Sequence, residues 1–145
     1  MISEIIATLA AGIFAGAAVY INLVEHPARL SCGVAAAVTQ WRPSYKRATR
    51  MQAPLALIGS LAALASWWLH RDPAWLVGGL LFLLVVPFTF IVILPTNKRL
   101  EHPSLDIHSD EARLFLQRWN RLHAVRSILS AAAFLIFLFR LALPR

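Results

Sequence analysis

Apolar residues in this chain fall into four long runs separated by polar connections. Residues 5–24, 51–69 and 74–94 contain no Asp, Glu, Lys or Arg. The fourth run, residues 122–143, is interrupted only by His123, Arg126 and Arg140. Both arginines lie toward its ends, where long side chains reach the headgroup region. A helix needs about 20 mostly apolar residues to cross the hydrocarbon core of a bilayer. The pattern therefore predicts an all-α integral membrane protein, an antiparallel four-helix transmembrane bundle. It reads as one domain over residues 1–145, with helices at roughly 2–26, 47–70, 74–97 and 109–143.

Local signals refine the connections. Pro27 is expected to stop or kink the first helix. Residues 32–40 are rich in Ala and Val and predict a short interfacial helix in the first connection. Trp41 and Tyr45, within WRPSYKRATRMQ, read as interfacial anchors. LHRDPAW predicts a tight hairpin between the second and third helices, with Pro73 at the start of the third. Pro87 predicts a kink in mid-helix. Ser109 is a candidate N-cap, and Asp110 and Glu111 favour the positive end of the helix dipole. A helical extension before the fourth membrane segment follows. Gly12 and Gly16 stand at a spacing that favours close helix packing.

Composition agrees with the pattern. The chain is 59% hydrophobic and 14% charged, against about 25% charged in soluble domains. The net charge of +7 follows topology. Eleven of the 14 basic residues fall in or beside the first and third connections. Arg71, Arg140 and Arg145 belong to the other side. The positive-inside rule places both long connections in the cytoplasm and both termini outside, as in a bacterial inner membrane. Cations that track the membrane boundary speak for anionic lipid as partner and against nucleic acid. The N-terminus, MISEII, lacks the positive charge of a signal peptide, so the first run reads as a permanent helix. Cys32 is the single cysteine and cannot form an intrachain disulfide.

Candidate chemistry gathers at one face. The segment NLVEHPARL ends the first apolar run with Asn22, Glu25 and His26. Alternating helices would bring these near Tyr45, Arg47, Arg50 and Gln52, Thr96 and Asn97, and Trp119, Asn120, His123 and Arg126. Asn22 and His26 are four residues apart, and Trp119, His123 and Arg126 fall at i, i+4 and i+7. Polar side chains beside lipid are costly unless they face protein or water. These stripes therefore predict a pocket in the cytoplasmic half of the bundle. His26 or His123 would serve as general base, Arg126 and Arg50 would stabilise an anion, and Asn22, Trp119 and Tyr45 would contact a lipophilic substrate. His26 and His123, with Glu25 or Asn22 as oxygen donor, would also suit copper or iron, and two histidines would suit a haem. Simpler roles stand beside these. Both histidines could bond lipid or water at the interface. Glu25 would pair with Arg29. Arg29, Arg42, Lys46, Lys98 and Arg99 would set topology. Trp41, Trp67, Trp68 and Trp75 would form aromatic belts, and His102 and His108 would face solvent.

The pieces AGAAVYINLVEHPAR, WRPSYKRATRMQAPLALIGSL, PFTFIVILPTNKRL and WNRLHAVRSIL together resemble the small four-helix membrane family that includes the anthrone oxygenases. Its members with known activity oxidise a tricyclic anthrone to an anthraquinone with dioxygen. The resemblance implies functional positions at His26, Asn97, Trp119, His123 and Arg126, and so adds Asn97 to the catalytic candidates. The Glu-His-Pro after the first helix departs from the apolar-Pro pair expected there. The leading expectation is a membrane oxidoreductase or oxygenase acting on a lipophilic aromatic or quinol-type substrate. The alternative is a non-enzymatic ligand-binding or complex-assembly module, with a homo-oligomer open in either case. A transporter ranks last, because four helices are few for inverted repeats.

Overall fold

The computed structural model describes residues 1–143; Arg145, counted above among the basic residues of the hairpin side, lies outside them. The described residues are helical and contain no strand. The elements are α1 (Ile2–Tyr20), a π-helical turn (Ile21–Glu25), α2 (His26–Ser31), α3 (Val34–His70), α4 (Pro73–Phe88), a second π-helical turn (Thr89–Ile93), α5 (Leu94–Glu101) and α6 (Asp110–Ala142). They form four helical spans, Ile2–Ser31, Val34–His70, Pro73–Glu101 and Asp110–Ala142, each long and apolar enough to cross a membrane. The chain is an integral membrane protein of four helices.

α1 packs against α3 and α6, and α4 packs against the same two, so the bundle is square. Adjacent spans run in opposite directions. Ser3 meets Ser66, while Glu4 meets His70. Asn22 reaches Asn120, and Trp75 stacks on Phe137. The central core is apolar, with Phe14 and Phe82 edge-to-face at 5.3 Å. A second cluster, around Trp41, Ile93, Leu100, Leu116 and Trp119, fills the end that carries the long connections.

Two expectations about the first connection change. Pro27 does not stop the first span. It sits in the first turn of α2, just after the π turn. Proline supplies no N–H, and the widened turn ahead of it lets the helix pass. No separate interfacial helix forms over residues 32–40. After a turn at Gly33, whose φ is 92°, α3 runs unbroken for 37 residues through Pro43 and Pro54. At 1.5 Å per residue it is roughly 55 Å long. The hydrocarbon core is only ~30 Å thick, so its first turns project beyond it. Ser109 caps α6 by accepting a hydrogen bond from Ala112 N at 3.1 Å.

Two of the four belt tryptophans are core residues. Trp41 is fully buried and stacked on Tyr45. Trp75 is buried against Phe137. Trp68 is 63% exposed and lies beneath the Arg71 guanidinium.

Glycines allow the close helix approaches. A Cβ at Gly78 would lie 2.4 Å from a Phe137 ring carbon, and one at Gly59 would lie 2.6 Å from Phe82. Gly12 abuts Phe134, whereas Gly16, expected to pack with it, has nothing within 4 Å. Overpacking an apolar core costs about 1–3 kcal/mol. Gly78→Leu should therefore lower the unfolding temperature in detergent, and Gly16→Leu should leave it unchanged. Equal effects from the two, followed by the loss of helical ellipticity on heating, would contradict this packing.

Candidate functional site

The end of the bundle opposite the His70–Pro73 hairpin holds three joined polar groups. The first is built on α6 and the π turn of the first span. Asn22 Nδ2 donates to the Asn120 carbonyl at 3.0 Å and to Asn120 Oδ1 at 2.7 Å. A carbonyl can only accept, so this pair fixes which way the Asn22 amide points. Asn22 Oδ1 then accepts from Ser127 Oγ at 2.5 Å and faces His123 Nδ1 at 2.8 Å. An amide oxygen cannot donate, so His123 Nδ1 carries the proton. In the neutral ring Nε2 is left with its lone pair free. His123 is 1% exposed.

The second group is aromatic. Trp119 stacks on His123 at 4.7 Å, lies 5.2 Å from the His26 ring and meets Trp41 edge-on at 5.7 Å. His26 is fully buried, and neither of its ring nitrogens makes a well-formed hydrogen bond. The Leu116 carbonyl is the backbone group close enough to interact with it. The indole N–H groups of Trp41 and Trp119 and both amide atoms of Asn97 are also buried without a partner. Asn97 lies between Ile93 and Leu100 on one face of its span, and both belong to the cluster around Trp41 and Trp119. Buried polar side chains ordinarily find partners, so this accumulation is unusual.

The third group is Arg126. It is 8% exposed, one helical turn beyond His123. Its Nη2 donates to Gln52 Oε1 at 2.8 Å, and its guanidinium lies 5.3 Å from the Phe14 ring centroid, within cation–π range. Its Nε has no partner. Among the described residues no carboxylate comes within 4.0 Å of it. Arg29, also buried, differs because it is paired with Glu25.

Two cavities open at this end. A partly open one of about 90 Å³ lies between α3 and α4, with Arg126, Gln52, Tyr45 and Thr89 among apolar walls that include Phe14, Ala56 and Val85. A more open groove of about 550 Å³ follows the seam of α1 and α3, from Glu25, Gln40 and Ser44 down to Gln52. Neither is lined by His26 or His123.

The structure thus gathers Asn22, His26, Trp119, His123 and Arg126, with Tyr45 beside them, and places Asn97 on the same cluster. Arg50 is exposed and lines neither cavity; Arg47 lines the groove instead. Arg29 is a buried partner of Glu25, so it does more than set topology. Arg42 bonds the Leu100 and His102 carbonyls, and His102 and His108 are exposed. Ser127, a hydrogen-bond partner of Asn22, escaped the sequence reading. Its signal was its place four residues after His123. The set His26, His123 and Glu25 does not close into a metal site. Glu25 is engaged by Arg29, Gln40 and Ser44, and no three His, Cys, Asp or Glu among the described residues stand close enough to hold a metal ion.

Fold and site together define a four-helix membrane protein with a polar centre at one end of its bundle. The anthrone oxygenase family profile matches residues 41–136, most of the chain, and the protein belongs to that family. No curated protein and no solved structure gives a significant match. The matched stretch contains Gln52, Asn97, Trp119, His123 and Arg126, while Asn22 and His26 precede it.

The Asn22 geometry yields a spectroscopic expectation. Nitrogen-15 NMR of the reconstituted protein should show His123 protonated at Nδ1 and bare at Nε2, and Asn22→Leu should abolish that preference. A proton resident on Nε2 in the unsubstituted protein would refute the assignment.

Proposed function

We propose that this chain is a membrane oxygenase for lipophilic hydroxyaromatic ketones of the anthrone or quinol type, and that Arg126 binds the substrate oxyanion. The observation that carries the reading is the Arg126 environment. A guanidinium at membrane depth is costly and usually functional. This one has no carboxylate to neutralise it and one N–H without an acceptor, and it borders a mainly apolar cavity whose other polar groups, Gln52, Tyr45, Thr49 and Thr89, are neutral. An apolar molecule with a single developing negative charge is the complement of that arrangement. The family supports the same substrate class.

The reaction balances without another reductant. An anthrone methylene loses one proton to a base, and its carbanion is delocalised onto the ring ketone as an enolate oxygen. Dioxygen adds at the carbon, the hydroperoxide loses water, and a second ketone remains. Two hydrogens and one oxygen atom leave as water. His123 Nε2 is the base in this reading, one turn of α6 from the Arg126 cation that receives the charge. Asn22 acts as a positioning residue by holding the proton on Nδ1. Trp119 stacks on the imidazole and fixes its plane. His26, 5.2 Å from Trp119, and Asn97 supply further buried polar atoms without well-formed hydrogen bonds.

Removing one preorganised donor from a developing oxyanion lowers turnover by roughly 10²–10³-fold. Arg126→Gln should show a loss of that size in oxygen uptake with a dihydroxyanthrone, matched by a loss of quinone product. Turnover at the unsubstituted rate would overturn the reading. A ligand-binding module without catalysis has one observation in its favour, since neither histidine lines either of these two cavities. Quinone binding without oxygen uptake by the unsubstituted protein would select it. In this reading the polar centre lies at the cytoplasmic face, which the positive-inside rule supports, so a C-terminal reporter should be active outside the bacterial inner membrane. Activity in the cytoplasm would reverse that topology.

A further inference from the structure

The groove along α1 and α3 has no part in the reaction just described. Its position on α3 gives it one. Ser44, Arg47, Ala48 and Met51 line the groove, whereas Tyr45, Thr49, Ala53 and Ala56 line the Arg126 cavity. These are two neighbouring stripes of one helix, and Gln52 belongs to both. Gln52 is 1% exposed. Its Oε1 accepts from Arg126, and its Nε2 has no partner. One buried amide thus stands between the two cavities with its acceptor used and its donor free.

Size points the same way. Cavities that hold small organic ligands span ~300–1,000 Å³. The Arg126 cavity, at about 90 Å³, is too small to enclose a fused tricycle. The groove, at about 550 Å³, falls within the range. Ala17, Ile21, Ala48 and Met51 give it apolar walls. Its rim carries Glu25, which accepts from Gln40 at 3.1 Å and from Ser44 at 2.8 Å. The groove therefore offers flat apolar sides and hydroxyl-binding groups at its mouth, with the unpartnered Gln52 donor buried just beneath its floor.

We infer that this groove is a binding site for lipophilic polycyclic hydroxyketones, with a ligand carbonyl accepting from Gln52 Nε2 and a ligand hydroxyl at the Glu25 and Ser44 rim. The ligand class rests on the function proposed above; the existence of the site rests on Gln52 and the groove. It is an outer station that holds the substrate or its quinone one side chain away from Arg126. Turning of the Gln52 amide toward the groove would expose this buried donor to the ligand and join the two cavities.

Ala48→Cys in a Cys32→Ser background provides the test, with the protein reconstituted in nanodiscs. The rate of maleimide labelling at position 48 is measured with and without a dihydroxyanthraquinone. The expected result is labelling slowed about tenfold by the quinone. Leu114→Cys, on an exposed face of α6, should show no protection. Gln52→Glu keeps an oxygen for Arg126 and removes the amide donor, so it should abolish protection at position 48. Unchanged labelling at position 48, or equal protection at position 114, would overturn the site. The two proposals fail separately. If protection is absent while Arg126→Gln still abolishes turnover, only the groove is lost. If protection is present while Arg126 proves dispensable, the groove stands and the oxyanion role falls.

Discussion

A guanidinium buried in an apolar bundle without a carboxylate is the constraint on which the polar end of this protein depends. In hydrocarbon its field is not screened by water, so its neighbours must supply what solvent would. Gln52 gives an amide oxygen and Phe14 an aromatic face. Other cations in or beside the spans are managed differently. Arg29 is paired with Glu25 and Arg140 with Asp72, and Arg71 lies over Trp67 and Trp68. Arg71 is exposed, so of these four Arg126 alone is buried with only neutral partners among the described residues. A neutral partner leaves the positive charge available to an incoming anion, which a carboxylate would cancel.

The chain reaches this arrangement through two similar irregularities. The first and third spans each contain a five-residue π turn followed by one residue and a proline, His26-Pro27 in one and Leu94-Pro95 in the other. Proline cannot donate within the helix, and the π turn spreads the disruption without ending the span. Widened turns of this kind often occur at functional sites. Here they carry Asn22 toward α6 and lead into the helices that bear His26 and Asn97. The pairing of Asn22 with His123 links residues 101 positions apart and joins the first span to the part of the chain that the family profile matches.

Much of the architecture was legible in the sequence because burial in lipid leaves a one-dimensional signal. Four long apolar runs, three of them uncharged, define four helices whatever their packing. The one-sided polar cluster was legible for the same reason, since charge near a membrane is rarely incidental. Rotation about each helix axis was not legible. Trp41 and Trp75 stand near helix ends, as belt residues do, and only their facing toward Tyr45 and Phe137 makes them core. α3 passes through Pro43 and Pro54 and absorbs most of the stretch expected to be an interfacial helix. Gln52 was legible as a member of the polar cluster, but its partner was not. Its bond to Arg126 and its place between two cavities depend on residues 74 positions away.

The central claim is that Arg126 stabilises a lipophilic oxyanion, and the ionisation of a bound hydroxyanthraquinone measures that directly. Deprotonation of such a quinone shifts its visible absorption, so the phenol can be titrated in nanodiscs with and without the protein. The account predicts that the protein lowers the pH of deprotonation by at least about one unit, equivalent to ~1.4 kcal/mol of preference for the anion, and that Arg126→Gln removes the shift. A titration identical in empty nanodiscs, in the unsubstituted protein and in the variant would contradict it.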